Sequence, residues 1–351
     1  MTVTFDTQIS TKQKINFLTI RMGGGHYATL HALSAIIKQE EIPWEIQITD
    51  IDKILEEAST EYKFIDPLKA FSGIPAYEFW NYFLKKGWTW LQAPLIWFFK
   101  LAIKFFHKTS IKIFQGYWWE QNPDLVVSLV PLYNRIVWET LQKAKPGTPF
   151  VTILTDFADC PHEFWIEPSI NSHVVCGTKK AVEQAHELGV KPEKIFQTSG
   201  MVIHPRFYQP ITHDGDGLPF ENGSIDTHFE KQRLGFFFIG KPGPGSISEA
   251  LAMKLPVIVE RNFATLIPER YNTQWVEEKQ VGLVIPSFCQ IDKAVLELIK
   301  PNNYLLYRKN AIALNNQAVF EAVQIISSIL QTTSPHTPEP NSIANEVMSR
   351  F

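Results

Sequence analysis

Short apolar runs alternate with helical patterns along most of the chain, and their order predicts a parallel α/β fold. Residues 14–20 are rich in strand-forming side chains and are followed at once by a glycine turn and an amphipathic segment. Nearly continuous apolar strands that alternate with helices are typical of a parallel sheet covered on both faces. We therefore expect residues 14–210 to form one α/β domain, with five further strands near 44–50, 124–130, 150–156, 172–176 and 194–200.

A second, shorter series of the same kind begins near residue 235. A strand, a turn (KPGPG) and a helix come first, two more apolar strands follow, and residues 303–330 carry long helical periodicity. These patterns predict a second α/β part over residues 235–331. The remaining segments are expected to be a flexible N-terminus, a linker and a proline- and serine-rich disordered tail: 1–13, 211–234 and 332–351.

Length and composition agree with two globular domains. The chain has 351 residues, which is more than the usual ~100–200 per domain. A hydrophobic fraction of 45%, a charged fraction of 20% and a net charge of −3 exclude a disordered chain and a basic nucleic-acid binder. Cys160, Cys176 and Cys289 lie far apart, which argues against a disulfide scaffold and a cysteine zinc site and favours a reducing compartment.

Aromatic residues are concentrated in one segment, residues 71–119, which holds 17 of the 45 in the chain. Within it Lys100, Lys104, Lys108 and Lys112 recur at every fourth position, with apolar side chains such as Trp97 between them. On a helix these lysines form one stripe beside a wide apolar face, a pattern typical of a helix in a membrane interface that attracts anionic lipids. The alternative is a helix packed in the core with its lysines in water.

The first glycine turn, followed by His26, lies between a predicted strand and a predicted helix. Glycine allows a ligand to approach the backbone, and the helix N-terminus favours an anion. The spacing does not match the dinucleotide fingerprint, so NAD binding is disfavoured, and the chain has no phosphate-binding P-loop motif. His26 can act as a general base near neutral pH, or it can simply cap its own helix.

The second turn also opens a helix. Its glycine and serine N–H groups can bind phosphate, and Glu249, one turn further, can accept hydrogen bonds from ribose hydroxyls. The simpler interpretation of Glu249 is an acidic residue that interacts favourably with the helix dipole.

Taken together, the ordered motifs RMGGGHYATLHAL, PDLVVSLVPL, VTILTDFADCPHEFW, GTKKAVEQAHELGVKPEKI, SGMVIHPRFY and KPGPGSISEALAMKLPVIVE resemble the monogalactosyldiacylglycerol synthases of glycosyltransferase family 28. The resemblance implies a GT-B fold with two Rossmann-type parallel-sheet domains. The first would bind a lipid acceptor and the second a UDP-sugar. The sugar would be transferred with inversion and without a metal or other cofactor.

The resemblance also implies roles on the acceptor side. His26 matches the base for the diacylglycerol hydroxyl, and Gly24 and Gly25 match the turn near the diphosphate. Asp156, His162 and Trp165 match a loop that touches lipid. The aromatic segment, with Trp97, Lys100 and Lys104, falls where these enzymes dock on membranes.

On the donor side, the turn and its helix match the phosphate and ribose contacts, and the PERYN segment matches the contacts to the sugar. The residues implied are Gly243, Gly245, Ser246, Glu249, Glu269 and Asn272.

The chain departs from the family before the second turn. The family has several βα units there, whereas only the mostly polar residues 211–234 are present, and one βαβ unit alone needs ~30 residues. The second domain is therefore expected to be incomplete.

The leading hypothesis is a transferase that moves galactose or glucose from UDP to diacylglycerol. A catalytically impaired lipid-binding relative is the alternative, and a nucleotide-sugar epimerase is a third possibility that leaves the lysine stripe unexplained. The expected partners are diacylglycerol, anionic lipids and a UDP-sugar, and not nucleic acid; the sequence gives no oligomeric state. The N-terminus has no apolar core, so we expect no signal peptide, and no apolar stretch reaches 18 residues, so we expect no transmembrane helix. We therefore expect a peripheral protein at the cytoplasmic face of a membrane.

Overall fold

A computed structural model describes residues 12–21, 24–61, 82–83, 86–105, 107–208 and 236–333. The predicted flexible N-terminus, linker and tail lie wholly or largely outside these residues, as does part of the aromatic segment.

Six parallel strands form the first sheet, in the order β2-β1-β3-β4-β5-β6. β1 lies between β2 and β3, where Phe17 is opposite Ile48 on one side and Val127 on the other. All six strands coincide with predicted apolar runs; the residues of β3 and β4 are buried on both faces, whereas the edge strands β2 and β6 are partly exposed. Their bounds are β1 Gln13–Thr19, β2 Trp44–Asp50, β3 Leu125–Ser128, β4 Phe150–Ile153, β5 His173–Cys176 and β6 Ile195–Gln197.

Helices cover both faces of this sheet, as parallel connections require. One face packs around Leu33 and Ile36 of α1, and the other around Phe114 and Trp118 of α4. The helices of this part are α1 Gly25–Gln39, α2 Ile51–Glu61, α3 Gln92–Phe105, α4 His107–Gln121, α5 Asn134–Ala144 and α6 Lys179–Glu187.

The second sheet is smaller. Within the described residues it has three parallel strands in the order β7-β8-β9, so the predicted α/β class and the reduced second sheet are both confirmed. Its elements are β7 Phe238–Gly240, α7 Pro244–Ala252, β8 Val257–Glu260, α8 Arg270–Lys279, β9 Gly282–Ile285, α9 Ile291–Leu298 and α10 Pro301–Ala313.

The last helix, α11 (Ala318–Thr333), packs on the first sheet. Val319, Ala322 and Ile326 are fully buried in the cluster that contains Leu33 of α1. The sequence does not show this packing, because an amphipathic stripe does not say which sheet it covers.

The carboxyl ends of the strands in the first sheet lie along one edge. The glycine turn follows β1, Leu129 follows β3, and Asp156 comes three residues after β4. Ligands of open parallel sheets bind at this edge.

Candidate active site

His26 lies in the first turn of α1, directly after the glycine turn; Gly23 falls outside the described residues. Its Nδ1–H donates a hydrogen bond to the backbone oxygen of Leu129 at 2.7 Å. That bond leaves Nε2 as the ring nitrogen that can accept a proton. Burial lowers the pKa of His26 to about 4, so the ring is neutral near pH 7. This geometry suits the predicted general base.

A single carboxylate, that of Asp159, holds the backbone of the acceptor loop, residues 156–165, in place. Asp159 is 1% exposed and accepts the backbone N–H groups of Glu163, Phe164 and Trp165 at 2.9, 2.9 and 2.6 Å. A buried carboxylate with three N–H donors is well compensated. Asp159 therefore fixes the path of the loop.

Asp156 and Trp165 are joined within this loop. The Trp165 Nε1–H donates to Asp156 Oδ2 at 2.8 Å, and the Trp165 ring centroid lies 5.7 Å from that of His26. Burial, helped by the nearby charge of Asp159, raises the pKa of Asp156 to about 6. Trp165 therefore contacts both Asp156 and His26.

Trp165 and His162 of the acceptor loop have different surroundings. Trp165 is 0% exposed, so its side chain does not lie on the surface of the loop, and its indole contacts Asp156 and His26. It is buried because its one polar atom, Nε1, already has a partner. The His162 side chain is exposed, and its backbone oxygen accepts a hydrogen bond from Lys100 Nζ at 2.8 Å.

The second glycine turn begins α7, with Gly243 as the N-cap and Pro244 as the first helical residue. Burial raises the pKa of Glu249 on this helix to about 7, and the positive charge of Arg206 opposes the rise. Ser246 is half-buried in the same first turn.

Glu269 lies at the start of α8 and approaches the same turn. A Cβ atom placed on Gly243 would be 3.8 Å from Glu269 Oε1, an ordinary van der Waals contact, so the carboxylate lies directly beside the turn. Burial raises the pKa of Glu269 to about 7; the charge of Asp156 raises it further and that of Lys241 lowers it. The Glu269 carboxylate of the second part thus lies within electrostatic reach of the Asp156 carboxylate of the acceptor loop.

Asn272 holds the turn and is not itself open to a ligand. It is 0% exposed, and its Nδ2 donates to the backbone oxygen of Pro242 at 2.7 Å. Asn272 therefore braces the backbone of the second glycine turn, and its predicted place near the donor sugar stays a prediction.

A cleft of about 370 Å³ lies where the two parts meet. The first turns of α1 and α7 both reach it, through Gly25 and Gly245, and Glu249 lies beside them. Two helix N-termini directed at one cleft favour a ligand with several negative charges. The cleft also contains residues that the sequence analysis did not single out: Thr155, His204 and Arg206. His204 and Arg206 belong to the SGMVIHPRFY motif, which follows β6, and Thr155 directly precedes Asp156 in the motif VTILTDFADCPHEFW.

Metal ligands are not grouped in the part of the chain that the structure describes: it contains no cluster of three or more histidine, cysteine, aspartate or glutamate side chains that could hold an ion. The charged groups in the cleft therefore have to be considered on their own.

The two aromatic helices use their large side chains differently. On α3, Trp97 is 66% and Phe105 80% exposed, and Lys104 is exposed beside them. On α4, Trp118 is fully buried and its Nε1–H donates to Thr140 Oγ1 at 3.1 Å. The membrane-interface interpretation therefore fits the exposed side chains of α3, and the core interpretation fits Trp118 of α4. None of the described helices is long and apolar enough to span a membrane.

Comparison with known proteins identifies relatives of this chain. A family model described as monogalactosyldiacylglycerol (MGDG) synthase matches residues 81–203. Monogalactosyldiacylglycerol synthase 1 of Arabidopsis thaliana is 21% identical over 403 residues, covering 91% of this chain and 71% of the relative. That alignment is longer than the 351 residues of the chain, so it includes segments that the chain lacks.

Solved structures agree on the fold. The glycosyltransferase SnogD from Streptomyces nogalater superposes with a TM-score of 0.50 at 13% identity, covering 91% of this chain and all of that one. A Listeria monocytogenes protein assigned as a UDP-N-acetylglucosamine 2-epimerase gives a TM-score of 0.53 at 13% identity, covering 94% and 99%. At these identities the likeness establishes the GT-B architecture and no more.

Proposed function

We propose that this chain, which is similar in sequence to the monogalactosyldiacylglycerol synthases, is a glycosyltransferase that transfers a hexose from a UDP-sugar to diacylglycerol at a membrane surface. The observation that carries this proposal is the cleft itself. Two helix N-termini, Arg206 and Glu249 meet there, close to the edge where His26 and Asp156 lie.

In the proposed reaction, Nε2 of His26 takes the proton of the diacylglycerol hydroxyl as that oxygen attacks the anomeric carbon. The new bond forms on the face opposite the departing UDP, so the configuration inverts. The bond between the anomeric carbon and the phosphate oxygen breaks, and its electron pair leaves with UDP. The Leu129 carbonyl holds the imidazole in the required tautomer throughout.

The departing diphosphate carries the charge that must be stabilised. The N-termini of α1 and α7 and the guanidinium of Arg206 are suited to that task, so the proposal requires no metal. The Glu249 carboxylate would accept hydrogen bonds from the ribose hydroxyls. Glu269, beside the second turn, would hold the sugar.

The exposed face of α3 supports the choice of a lipid acceptor. Trp97, Leu101 and Phe105 present apolar surface, and Lys104 lies among them. Such a face can enter the interface of a bilayer while its lysines contact anionic headgroups. Through Lys100, this helix also binds the acceptor loop.

The assay is release of UDP in the presence of UDP-galactose or UDP-glucose, with and without diacylglycerol vesicles. We expect release that requires diacylglycerol and falls at least about 100-fold in His26→Ala. His186→Ala, an exposed histidine on α6, is the matched control and should be unaffected. An unchanged rate in His26→Ala would exclude His26 as the base.

A lipid-binding relative without turnover is the second candidate, and the three-stranded second sheet favours it. It predicts binding to vesicles with no measurable affinity for UDP. Calorimetric titration separates the two candidates, since a micromolar dissociation constant for UDP contradicts the second.

A further inference from the structure

The backbone N–H and carbonyl groups of Ile267, two residues before Glu269, are each held by a side chain from the first part of the chain. Gln92 Oε1 accepts the Ile267 N–H at 2.6 Å. On the other side of the residue, the Cys160 thiol donates to the Ile267 carbonyl oxygen at 3.4 Å. Ile267 therefore lies between α3 and the acceptor loop.

Gln92 is the first residue of α3 and is only 1% exposed. Two turns further along, Lys100 donates to the His162 carbonyl oxygen of the acceptor loop at 2.8 Å. One helix thus hydrogen-bonds both the acceptor loop and the turn of the second part, and the same helix carries the exposed face with Trp97.

The turn held in this way, Ile267–Glu269, leads directly into α8. Glu269 is its last residue, and its carboxylate lies beside Gly243 and within electrostatic reach of Asp156. A shift of this turn would carry Glu269 away from the donor side of the cleft.

We propose that Gln92 is a positioning residue for sugar transfer: from the lipid-facing helix α3 it fixes the turn that places Glu269 at the donor site. This inference rests on the proposed function, since it assigns to Glu269 a contact with the donor sugar. Gln92 itself touches neither substrate. Its effect passes through one backbone hydrogen bond.

The site allows a substitution that tests this role without disturbing the fold. Gln92 Nε2 is buried and has no hydrogen-bond partner among the described residues. Leucine is close to glutamine in size, removes that unpaired donor and removes the acceptor for Ile267. Gln92→Glu keeps an oxygen that can accept the Ile267 N–H.

The matched control is Gln47→Leu. Gln47 lies on β2, and its Oε1 is likewise buried without a partner among the described residues. Its Nε2 donates to the Gln121 carbonyl oxygen at 3.3 Å, remote in sequence from both glycine turns.

The experiment measures the kinetic constants of the full chain with a UDP-sugar and diacylglycerol vesicles, and the hydrogen exchange of the Ile267 amide. In Gln92→Leu we expect that amide to exchange about tenfold faster, and KM for the UDP-sugar to rise about fivefold to tenfold. The KM for diacylglycerol should stay within about twofold. Gln92→Glu should recover both values, and Gln47→Leu should change neither.

Faster exchange with an unchanged KM for the UDP-sugar would overturn the inference, because the bond would then be structural only. An unchanged exchange rate in Gln92→Leu would overturn it as well. Failure of the proposed function gives a different result, which is absence of turnover in the parent chain. In that case the dissociation constant of UDP-sugar replaces KM in the same comparison, and an unchanged constant again overturns the inference.

Discussion

Asp159 should decide whether the acceptor loop keeps its shape, and its three hydrogen bonds allow a graded test. Oδ1 accepts the N–H groups of Phe164 and Trp165, and Oδ2 accepts that of Glu163. Asparagine can keep the pair at Oδ1, but its amide would face the Glu163 N–H. Alanine removes all three acceptors.

Each hydrogen bond to a charged acceptor contributes about 1.5–3 kcal/mol to the free energy of unfolding. Asp159→Asn loses one such bond and should destabilise the chain by about 1.5–3 kcal/mol. Asp159→Ala loses three, but it also removes the cost of burying a charge, so we expect about 3–5 kcal/mol. The loop would then release Trp165, and with it the contact to Asp156.

Urea unfolding gives these free energies, and hydrogen exchange at the amides of residues 163–165 locates the effect. Asp124→Ala is the control, because Asp124 accepts one backbone N–H, from Lys14, at an exposed site. That change should cost less than about 1 kcal/mol. Equal destabilisation by the asparagine and alanine variants, or a loss below about 1 kcal/mol for alanine, would refute the assignment of the loop to these bonds.

Three further predictions concern charge and surface. Folding raises the pKa of Asp156 to about 6 and those of Glu249 and Glu269 to about 7. These three carboxyl groups therefore hold protons more tightly in the folded chain than in the unfolded chain. The melting temperature should therefore fall as pH rises from about 4 through 7, less steeply in Glu269→Gln, and a flat profile would contradict the burial of these groups. Arg206→Ala should weaken UDP binding by about tenfold or more and raise the pKa of Glu249 further, which calorimetric titration at several pH values measures. An unchanged affinity would show that Arg206 does not contact the diphosphate. Trp97→Ala should weaken binding to anionic vesicles about fivefold to tenfold in a flotation assay, whereas Leu305→Ala, 64% exposed on α10, should not; equal losses would indicate nonspecific adhesion.

The order of strands and turns could be predicted from the sequence because each signal is local. A buried parallel strand is a short apolar run, and a glycine turn before a helix is recognisable by itself. The carboxyl ends of the strands then place His26, Leu129 and Asp156 on one edge without further information. That Gly25 lines the same cleft as Gly245 and Glu249 depends in addition on how the two sheets pack, which local signals do not give.

Contacts between distant segments could not be predicted in this way. Gln92 and Ile267 are 175 positions apart, and neither belongs to a motif. The packing of α11 on the first sheet also depends on tertiary structure, since its apolar stripe would fit either sheet.

The tryptophans show why aromatic content alone was ambiguous. Trp118 and Trp165 are buried because each indole N–H has a partner, Thr140 and Asp156 respectively. Trp97 lies on the outer face of α3 and is 66% exposed. Whether a tryptophan is buried therefore depends on whether the fold brings a partner to its indole N–H, which aromatic content alone does not show.

The shortened second sheet bears on the function through its position. In the described residues β7 is an edge strand, so further strands could be added beyond it without displacing β8 or β9. Three groups of the second part follow the carboxyl ends of β7 and β8: Gly243, Glu249 and Glu269. Glu249 lines the cleft, and Glu269 lies beside Gly243. The chain has kept these groups, and it lacks segments that its Arabidopsis relative possesses. Affinity for UDP therefore separates the two proposed functions: the transferase predicts binding through the retained groups, whereas the lipid-binding relative predicts none.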